Sequence, residues 1–168
     1  YNYQKAVFED FIIFNQDELP VSGMVISKSK NIISLSLQQT GIFLCNLNNN
    51  KSAYIYTAST KTNISIGNIT LLNDSMIVLS DVINGITFIN INNNKKHFYT
   101  ATQGLLSNNN ETVARDDKGR IWTFSSEGIN AIDFEKDEVY SYKSKKLELI
   151  QNLSYNNNKI YAATSKGI

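Results

Sequence analysis

The chain has 168 residues, of which 42% are hydrophobic and 18% carry a charged side chain, and its formal net charge is +1. This length and composition fit one globular domain with an apolar core, and the near-neutral charge with scattered lysines argues against a nucleic-acid-binding surface. No apolar run approaches the roughly 20 residues that a membrane-spanning helix needs. Cys45 is the single cysteine, so no internal disulfide is possible, and we expect it to be a small buried hydrophobic residue.

Taken from the N-terminus, the chain alternates short apolar runs with turn-forming residues. Residues 1–20 are expected to form the outer half of a repeat unit, ending in a strand over residues 11–14. Residues 21–57 are expected to form a complete unit of four strands, with asparagines 48–50 in its last turn. Apolar runs separated by turn residues are the usual sequence signal for successive β-hairpins.

The same order of strands and turns returns along the rest of the chain. We predict complete units at residues 63–100 and 104–142 and an inner half unit at residues 147–168. Asparagines 92–94 fall at the same turn as 48–50, and asparagine suits tight turns because it tolerates left-handed backbone. Each unit also contains a Gly-Ile pair at a corresponding place. The glycines of these pairs, which we predict to be structural, are Gly41, Gly85, Gly128 and Gly167.

A period of about 40 residues containing four strands is the signature of a β-propeller blade. The predicted fold class is therefore all-β, an arc of four-stranded antiparallel blades. The inner strands are expected near residues 24–27, 69–72, 112–115 and 149–153. Propellers close with about four to eight blades, so we interpret the chain as a fragment of a larger, seven- or eight-bladed propeller. Incomplete blades leave sheet faces and strand edges exposed, which favours self-association.

The third unit carries the most specific motif. It reads GLLSNNNETVARDDKGRIWTFSSEGINAIDF, and it resembles the two-component regulator propeller repeat. The residues that match the family pattern, in order, are Gly104, Leu105, Asn109, Val113, Asp116, Gly119, Trp122, Gly128 and Asp133. The sequence departs from the pattern after the tryptophan strand, where Phe124 and Ser125 stand in place of Gly-Thr. The match is specific in this unit and architectural in the first two.

The resemblance implies a non-catalytic ligand sensor. It implies the periplasmic or cell-envelope sensor region of a hybrid histidine kinase in a Gram-negative bacterium, with the kinase outside this chain. The implied ligand is an oligosaccharide, and no cofactor is expected. Two alternatives stay open: a scaffolding propeller of the bacterial envelope that binds a protein partner, and a propeller glycosidase or lyase.

Residues 115–122, RDDKGRIW, also resemble the Asp-box hairpin of sialidase propellers. That resemblance implies structural roles, in which Asp117 bonds the turn that contains Gly119 and Trp122 packs between blades. A glycosidase needs two placed carboxylates, and a sialidase-like site also requires an arginine cluster, whereas this chain has two arginines. His97 has no partner at a metal-ligand spacing. We therefore predict no catalytic and no metal-binding residue.

Strand order predicts where a ligand would bind. In a four-stranded blade, the loops between the second and third strands lie on the same face of the disc as the connections between blades. Pockets concentrate where loops converge on a rigid scaffold. The residues on this face that we expect to contact a ligand are Gln39, Asn84, Gln103, Ser126 and Glu127. The alternative is that they only shape turns.

Overall fold

The computed structural model describes residues 21–27, 29–30, 32–37, 41–49, 51–57, 65–143 and 150–164. Within these ranges the chain forms fourteen β-strands and one short 3-10 turn. The predicted outer half unit at residues 1–20 lies outside the described residues, as do Gln39 and Gly167. The prediction of an all-β chain built from four-stranded antiparallel sheets is confirmed.

The strands form sheets in which each strand pairs with the next one along the chain. Sheet 1 contains β1 (Val21–Ser27), β2 (Ile32–Leu37), β3 (Gly41–Asn46) and β4 (Lys51–Thr57). Sheet 2 contains β5 (Ile66–Asn73), β6 (Met76–Asp81), β7 (Gly85–Asn90) and β8 (Lys96–Tyr99). Sheet 3 contains β9 (Val113–Arg115), β10 (Ile121–Ser125), β11 (Gly128–Asp133) and β12 (Glu138–Lys143). Sheet 4 contains β13 (Ile150–Asn156) and β14 (Lys159–Thr164).

The sheets are arranged as a fan around their first strands. β1 contacts β5, β5 contacts β9, and β9 contacts β13. The four first strands therefore stand side by side, and the later strands of each sheet extend outward from them. This is the arc of propeller blades that the repeat period predicted.

Apolar residues fill the space between neighbouring sheets. In β7, Ile86 and Phe88 are fully buried against sheet 3, whereas Ile89 is buried in the cluster shared with sheet 1. In β6, Val78 faces sheet 3, and Ile77 faces sheet 1. Successive residues of a strand point to opposite faces, so a sheet covered on both sides needs apolar residues at consecutive positions. Burying each of these side chains contributes about 1.5–3 kcal/mol.

The outer strands of sheets 2 and 3 are joined by an aromatic cluster. The Phe134 ring stacks on Phe88 with centroids 4.6 Å apart, and the Tyr99 hydroxyl donates to Asp137 Oδ1 at 2.7 Å. His97 lies against both Tyr99 and Phe134. Burial, together with the Asp137 carboxylate, raises the pKa of Tyr99 well above its ordinary value. Tyr99 therefore stays protonated and able to donate this hydrogen bond.

The asparagine runs build equivalent turns in sheets 1 and 2. Asn46 Oδ1 accepts from the Asn48 amide, and Asn90 Oδ1 accepts from the Asn92 amide, both at 2.9 Å. Asn94 has a positive φ of 56°. Side-chain bonds to the local backbone and tolerance of left-handed backbone are the properties that suit asparagine to turns.

In sheets 2 and 3, the glycine at the start of the third strand is required by a close backbone approach. Gly85 has φ 87°, and a Cβ at this position would lie 2.2 Å from the Tyr99 carbonyl oxygen. Gly128 has φ 144°, and its Cβ would lie 2.3 Å from the Tyr142 oxygen. Gly41 shares a positive φ of 140°. In sheets 2 and 3 the fourth strand therefore passes too close to this position for any other residue, and in sheet 1 the positive φ favours glycine.

We expect Gly85→Ala to destabilise the protein more than Gly119→Ala. Both glycines have positive φ, which costs alanine about 1–2 kcal/mol. Nothing lies within 4 Å of a Cβ built at Gly119, so only Gly85→Ala adds an overpacking cost of about 1–3 kcal/mol. Chemical denaturation of both variants measures the difference. Equal losses of unfolding free energy would contradict the close approach.

Candidate ligand-binding surface

Strand order divides the turns between two faces of the arc. The connection face carries the turns at residues 82–84 and 126–127 and the segment 100–112 that joins sheet 2 to sheet 3. The hairpin face carries the turns at residues 74–75, 91–95, 116–120, 134–137 and 157–158. The four predicted ligand-contacting residues within the described chain all lie on the connection face: Asn84 in the β6–β7 turn, Gln103 in the segment between sheets 2 and 3, and Ser126 and Glu127 in the β10–β11 turn.

Asn84 is bonded to a buried carboxylate. Asp81 is fully buried, and its Oδ1 accepts from the backbone amides of Ile83 at 2.9 Å, Asn84 at 3.2 Å and Ser65 at 3.3 Å. The Asn84 side-chain amide donates to Asp81 Oδ2 at 2.9 Å. Asp81 and Asn84 together hold the turn between β6 and β7, so Asn84 has a role in shaping that turn.

Gln103 closes the short 3-10 turn over Ala101–Gln103. Its side-chain oxygen accepts from the Thr100 backbone amide at 3.1 Å, and Thr100 Oγ1 accepts from the Thr102 amide at 3.2 Å. These reciprocal bonds form a capping box. The Gln103 oxygen is therefore used in shaping the connection between sheets 2 and 3.

Ser126 and Glu127 form the turn between β10 and β11, and both are exposed. The only bond that the structure shows for this pair is from the Glu127 backbone amide to Ser125 Oγ, at 3.3 Å. Their side chains therefore remain accessible on the connection face. Among the predicted contact residues that the structure describes, Ser126 and Glu127 are the two whose side chains do not form hydrogen bonds that hold a turn.

Sequence reasoning missed a polar belt on the inner strands, formed by Asn68, Thr112 and Asn152. Asn68 Nδ2 donates to Thr112 Oγ1 at 3.0 Å, and Thr112 Oγ1 donates to Asn152 Oδ1 at 3.2 Å. These bonds link the first strands of sheets 2, 3 and 4. Asn68 pairs with Ser80, next to the β6–β7 turn, so the belt lies toward the connection face.

Bulges position the two asparagines of this belt. The strand register shifts between Ile66 and Asn68 and again between Ile150 and Asn152. Each asparagine oxygen then accepts from the amide of the next residue, Ile69 at 2.7 Å or Leu153 at 2.8 Å. A bulge leaves one residue of a strand unpaired. In the sequence, the signal for this belt was an asparagine followed by an aliphatic residue at the same place in two units, Asn68-Ile69 and Asn152-Leu153.

On the hairpin face, Asp116 is the centre of the turn between β9 and β10. The residue is only 2% exposed. Its Oδ1 accepts from the amides of Lys118 at 3.0 Å and Arg120 at 2.8 Å. Its Oδ2 accepts from Arg120 Nε at 2.7 Å and Trp122 Nε1 at 2.8 Å. One carboxylate thus closes the turn and fixes the tryptophan.

The structure corrects the assignment of these bonds to Asp117. Asp117 is exposed, and its carboxylate lies beside the phenol of Tyr155, whose pKa it raises by accepting a hydrogen bond. Asp116 is the aspartate that the regulator-repeat pattern matched, whereas the Asp-box alignment was shifted by one residue. The physical reason is the register: Asp116, the residue directly after β9, points inward toward the Trp122 indole, whereas Asp117 points outward.

Trp122 packs between sheets 3 and 4. It borders the buried cluster of Ala114, Phe124, Ile150 and Leu153. The Arg120 guanidinium lies 5.2 Å from the centroid of its ring, and the Tyr142 ring stacks beside it at 6.1 Å. The indole is therefore held by packing, by Asp116 and by a cation–π contact, and not left open as a platform for ligands.

The described residues contain no group of three or more His, Cys, Asp or Glu side chains able to hold a metal ion. No helix among them is long and apolar enough to cross a membrane.

The carboxylates of Asp81 and Asp116 are buried away from solvent, and both are surrounded by hydrogen-bond donors of their turns.

No family model matches the sequence, and no curated protein matches it. Solved structures do match. The extracellular domain assigned to the hybrid two component system BT3049 from Bacteroides thetaiotaomicron has a TM-score of 0.69 at 18% identity, over 98% of this chain and 22% of that chain. The extracellular domain assigned to the one component system BT4673 from the same organism has a TM-score of 0.68 at 18% identity, over 86% of this chain and 21% of that chain.

An auxiliary nutrient binding protein from Bacteroides thetaiotaomicron also matches, with a TM-score of 0.64 at 10% identity, over 87% of this chain and 36% of that chain. This chain spans about a fifth of the length of the two extracellular domains. At these identities the likeness shows a shared fold. The first of these neighbours is an extracellular domain assigned to a hybrid two component system, the class of protein to which the sequence resemblance pointed.

We expect Asp116→Asn to lower the free energy of unfolding at pH 7 by about 2–3 kcal/mol, because the variant loses charge-assisted hydrogen bonds. Burial opposes ionisation of Asp116, but the bonds from Trp122 and Arg120 and the charge of Arg120 outweigh it and lower the pKa of the carboxyl. Its stabilisation is therefore complete above the unfolded-state pKa of about 4. It is lost as the pH falls through the lower folded-state pKa.

Urea denaturation between pH 2 and pH 7 checks this, with Asp117→Asn as the matched control. We expect the gap between the wild-type protein and Asp116→Asn to close below about pH 4. The exposed Asp117→Asn should change stability by about 0.5 kcal/mol or less. A larger loss in Asp117→Asn than in Asp116→Asn would overturn the assignment of the turn bonds.

Proposed function

We propose that this chain is a non-catalytic, ligand-sensing part of an extracytoplasmic sensor region and that its ligand is an oligosaccharide. The observation that carries the proposal is the fold shared over 98% of the chain with an extracellular domain assigned to a hybrid two component system. The regulator-repeat residues of sheet 3 support it independently. The periplasm or cell envelope of a Gram-negative bacterium is the location that follows.

The use of carboxylates supports a function without chemistry on the ligand. A glycosidase holds two carboxyl groups about 5–9.5 Å apart, facing one substrate bond. Here Asp81 and Asp116 are buried and bonded to turn amides, and Asp133 Oδ2 lies 3.0 Å from the Lys136 ammonium. Asp81 and Asp116 therefore stabilise turns, and the charge of Asp133 is neutralised by Lys136.

The connection face supports oligosaccharide recognition. Sugar hydroxyls both donate and accept hydrogen bonds, so they need partners of both kinds on a rigid frame. Ser126 and Glu127 offer accessible side chains there, and Asn68 and Asn152 lie on the inner strands toward the same face. In this proposal Asn84 and Gln103 act by shaping the turns that surround the ligand, and Gln39 completes the predicted set.

A second candidate function, scaffolding, is favoured by one exposed surface. Tyr142 in sheet 3 occupies the place of Tyr99 in sheet 2, since each pairs with the isoleucine that follows the glycine at the start of the third strand. Tyr99 is 1% exposed because sheet 3 covers it, whereas Tyr142 is 52% exposed. Another sheet, from a second copy or another protein, would bury Tyr142 as sheet 3 buries Tyr99. If scaffolding is the function, we propose that the chain associates with a second copy of itself through the surface around Tyr142.

Calorimetric titration with neutral oligosaccharides, combined with product analysis, tests the sensing proposal. We expect binding without turnover, and we expect Glu127→Ala to weaken binding several-fold while the melting temperature stays within about 2 °C, since surface substitutions cost about 0.5 kcal/mol or less. Glu138→Ala, exposed at the start of β12 next to the hairpin face, is the matched control. Cleavage of a sugar would contradict the non-catalytic proposal.

Measuring the oligomeric state by light scattering distinguishes the scaffolding function from the sensing function. Concentration-dependent association that Tyr142→Ser abolishes, in a protein that binds no oligosaccharide, would favour scaffolding over sensing. A protein that stays monomeric and binds an oligosaccharide would support sensing.

A further inference from the structure

We propose that a cleft on the hairpin face, between sheets 2 and 3, is a second binding site and takes a neutral sugar unit. The cleft has a volume of about 390 Å³ and is lined by Leu72 and Asn73 of sheet 2 and by Arg115, Lys118, Phe134 and Glu135 of sheet 3. This site rests on the proposed function, because it names a further place for the same class of ligand on the opposite face.

Both walls of the cleft belong to complete sheets. Leu72 and Asn73 end β5, and the opposite wall consists of the turns that follow β9 and β11. Leu72 is part of the buried cluster between the two sheets, and Phe134 packs against that cluster. The stacking of Phe134 on Phe88 holds its ring in place. The apolar floor is therefore fixed before any ligand arrives, as in most small-molecule sites.

The polar groups around this floor are available for a ligand. Arg115, Lys118 and Glu135 are all exposed. Their charged groups make no hydrogen bond or ion pair with another residue of the described ranges, whereas the neighbouring Arg120 and Lys136 are paired with Asp116 and Asp133. A guanidinium, an ammonium and a carboxylate thus converge on one cleft. On the connection face, by contrast, the side-chain groups of Asn84 and Gln103 are bonded within turns.

The charges of the cleft favour a neutral ligand. Arg115 and Lys118 are balanced by Asp117 and Glu135, and the Asp133 carboxylate is balanced by Lys136 at 3.0 Å. An anion would meet the carboxylates of Asp117 and Glu135, and a cation would meet the basic groups of Arg115 and Lys118. A sugar hydroxyl can accept from a basic group and donate to a carboxylate at the same time. The C–H face of a sugar ring can then lie on Phe134 and Leu72.

The size of the cleft agrees with this class of ligand. Ligand sites of about 300–1,000 Å³ hold small organic molecules, and 390 Å³ lies near the lower end of that range. The cleft is therefore matched to a short saccharide and not to a protein segment.

Titration of the isotope-labelled 168-residue chain by NMR tests the proposal, with maltotriose, cellotriose and N-acetylchitotriose as neutral probes and glucuronate and glucosamine as charged probes. We expect at least one neutral probe to shift the backbone amides of Gly119 and Glu135. The double variant Arg115→Ala with Glu135→Ala keeps the net charge and should lose that response, with affinity reduced about tenfold or more. Lys51→Ala with Glu111→Ala is the charge-matched control and should bind like the wild-type protein.

The outcomes separate the cleft from the proposed function. If a neutral probe binds but shifts only the amides at residues 126–127, or if the double variant binds like the control, the cleft is not a site and sensing still stands. Preferential binding of glucuronate or glucosamine overturns the neutral class. If no neutral probe binds at any position, the cleft and the oligosaccharide-sensing function both fall. Melting curves of the variants verify that a lost response does not come from unfolding.

Discussion

Burial of both faces of each sheet is the constraint on which the structure depends. In β7, Ile86 and Phe88 require sheet 3 as a cover, and Ile89 requires sheet 1. A sheet that is apolar on both faces is not stable alone, because each face must be buried against another layer of secondary structure. The fan of sheets follows from this requirement. Tyr99 and Tyr142 occupy the same repeat position and show the effect directly. Tyr99 is covered by the four-stranded sheet that follows it, whereas Tyr142 is exposed beside a sheet whose described strands are β13 and β14.

Because the faces are used for packing, the polar groups available for recognition are confined to the ends of the strands. The same physical device closes turns at both ends. Asp81 on the connection face and Asp116 on the hairpin face are buried carboxylates that collect backbone amides. Ionised acceptors make stronger hydrogen bonds than neutral ones, so a single aspartate can hold a tight turn. The carboxylates of Asp81 and Asp116 are therefore used for local structure.

The inner strands provide a second kind of polar contact. Asn68, Thr112 and Asn152 connect three sheets by hydrogen bonds where the strands stand closest together. Gly67 contributes to this closeness, since a Cβ there would lie 2.3 Å from the Glu111 carbonyl oxygen. A glycine inside a strand often marks such an approach of another backbone. The two faces of the arc therefore share one rigid inner frame, on which both the connection-face residues and the hairpin-face cleft are placed.

The sequence by itself determined the all-β fold, the four-strand repeat, the turns built by asparagine and the Gly-Ile positions, because alternation and turn chemistry act between near neighbours in the chain. It also placed Asn84, Gln103, Ser126 and Glu127 on one face, since strand order alone decides this. Only the tertiary structure decided that Asp116 and not Asp117 bonds Trp122, and that Asn84 and Gln103 are used in turns. The polar belt and the cleft between Leu72 and Phe134 were also beyond local sequence patterns. Each depends on which side chains of two different sheets face each other, and that pairing exists only after the sheets have packed.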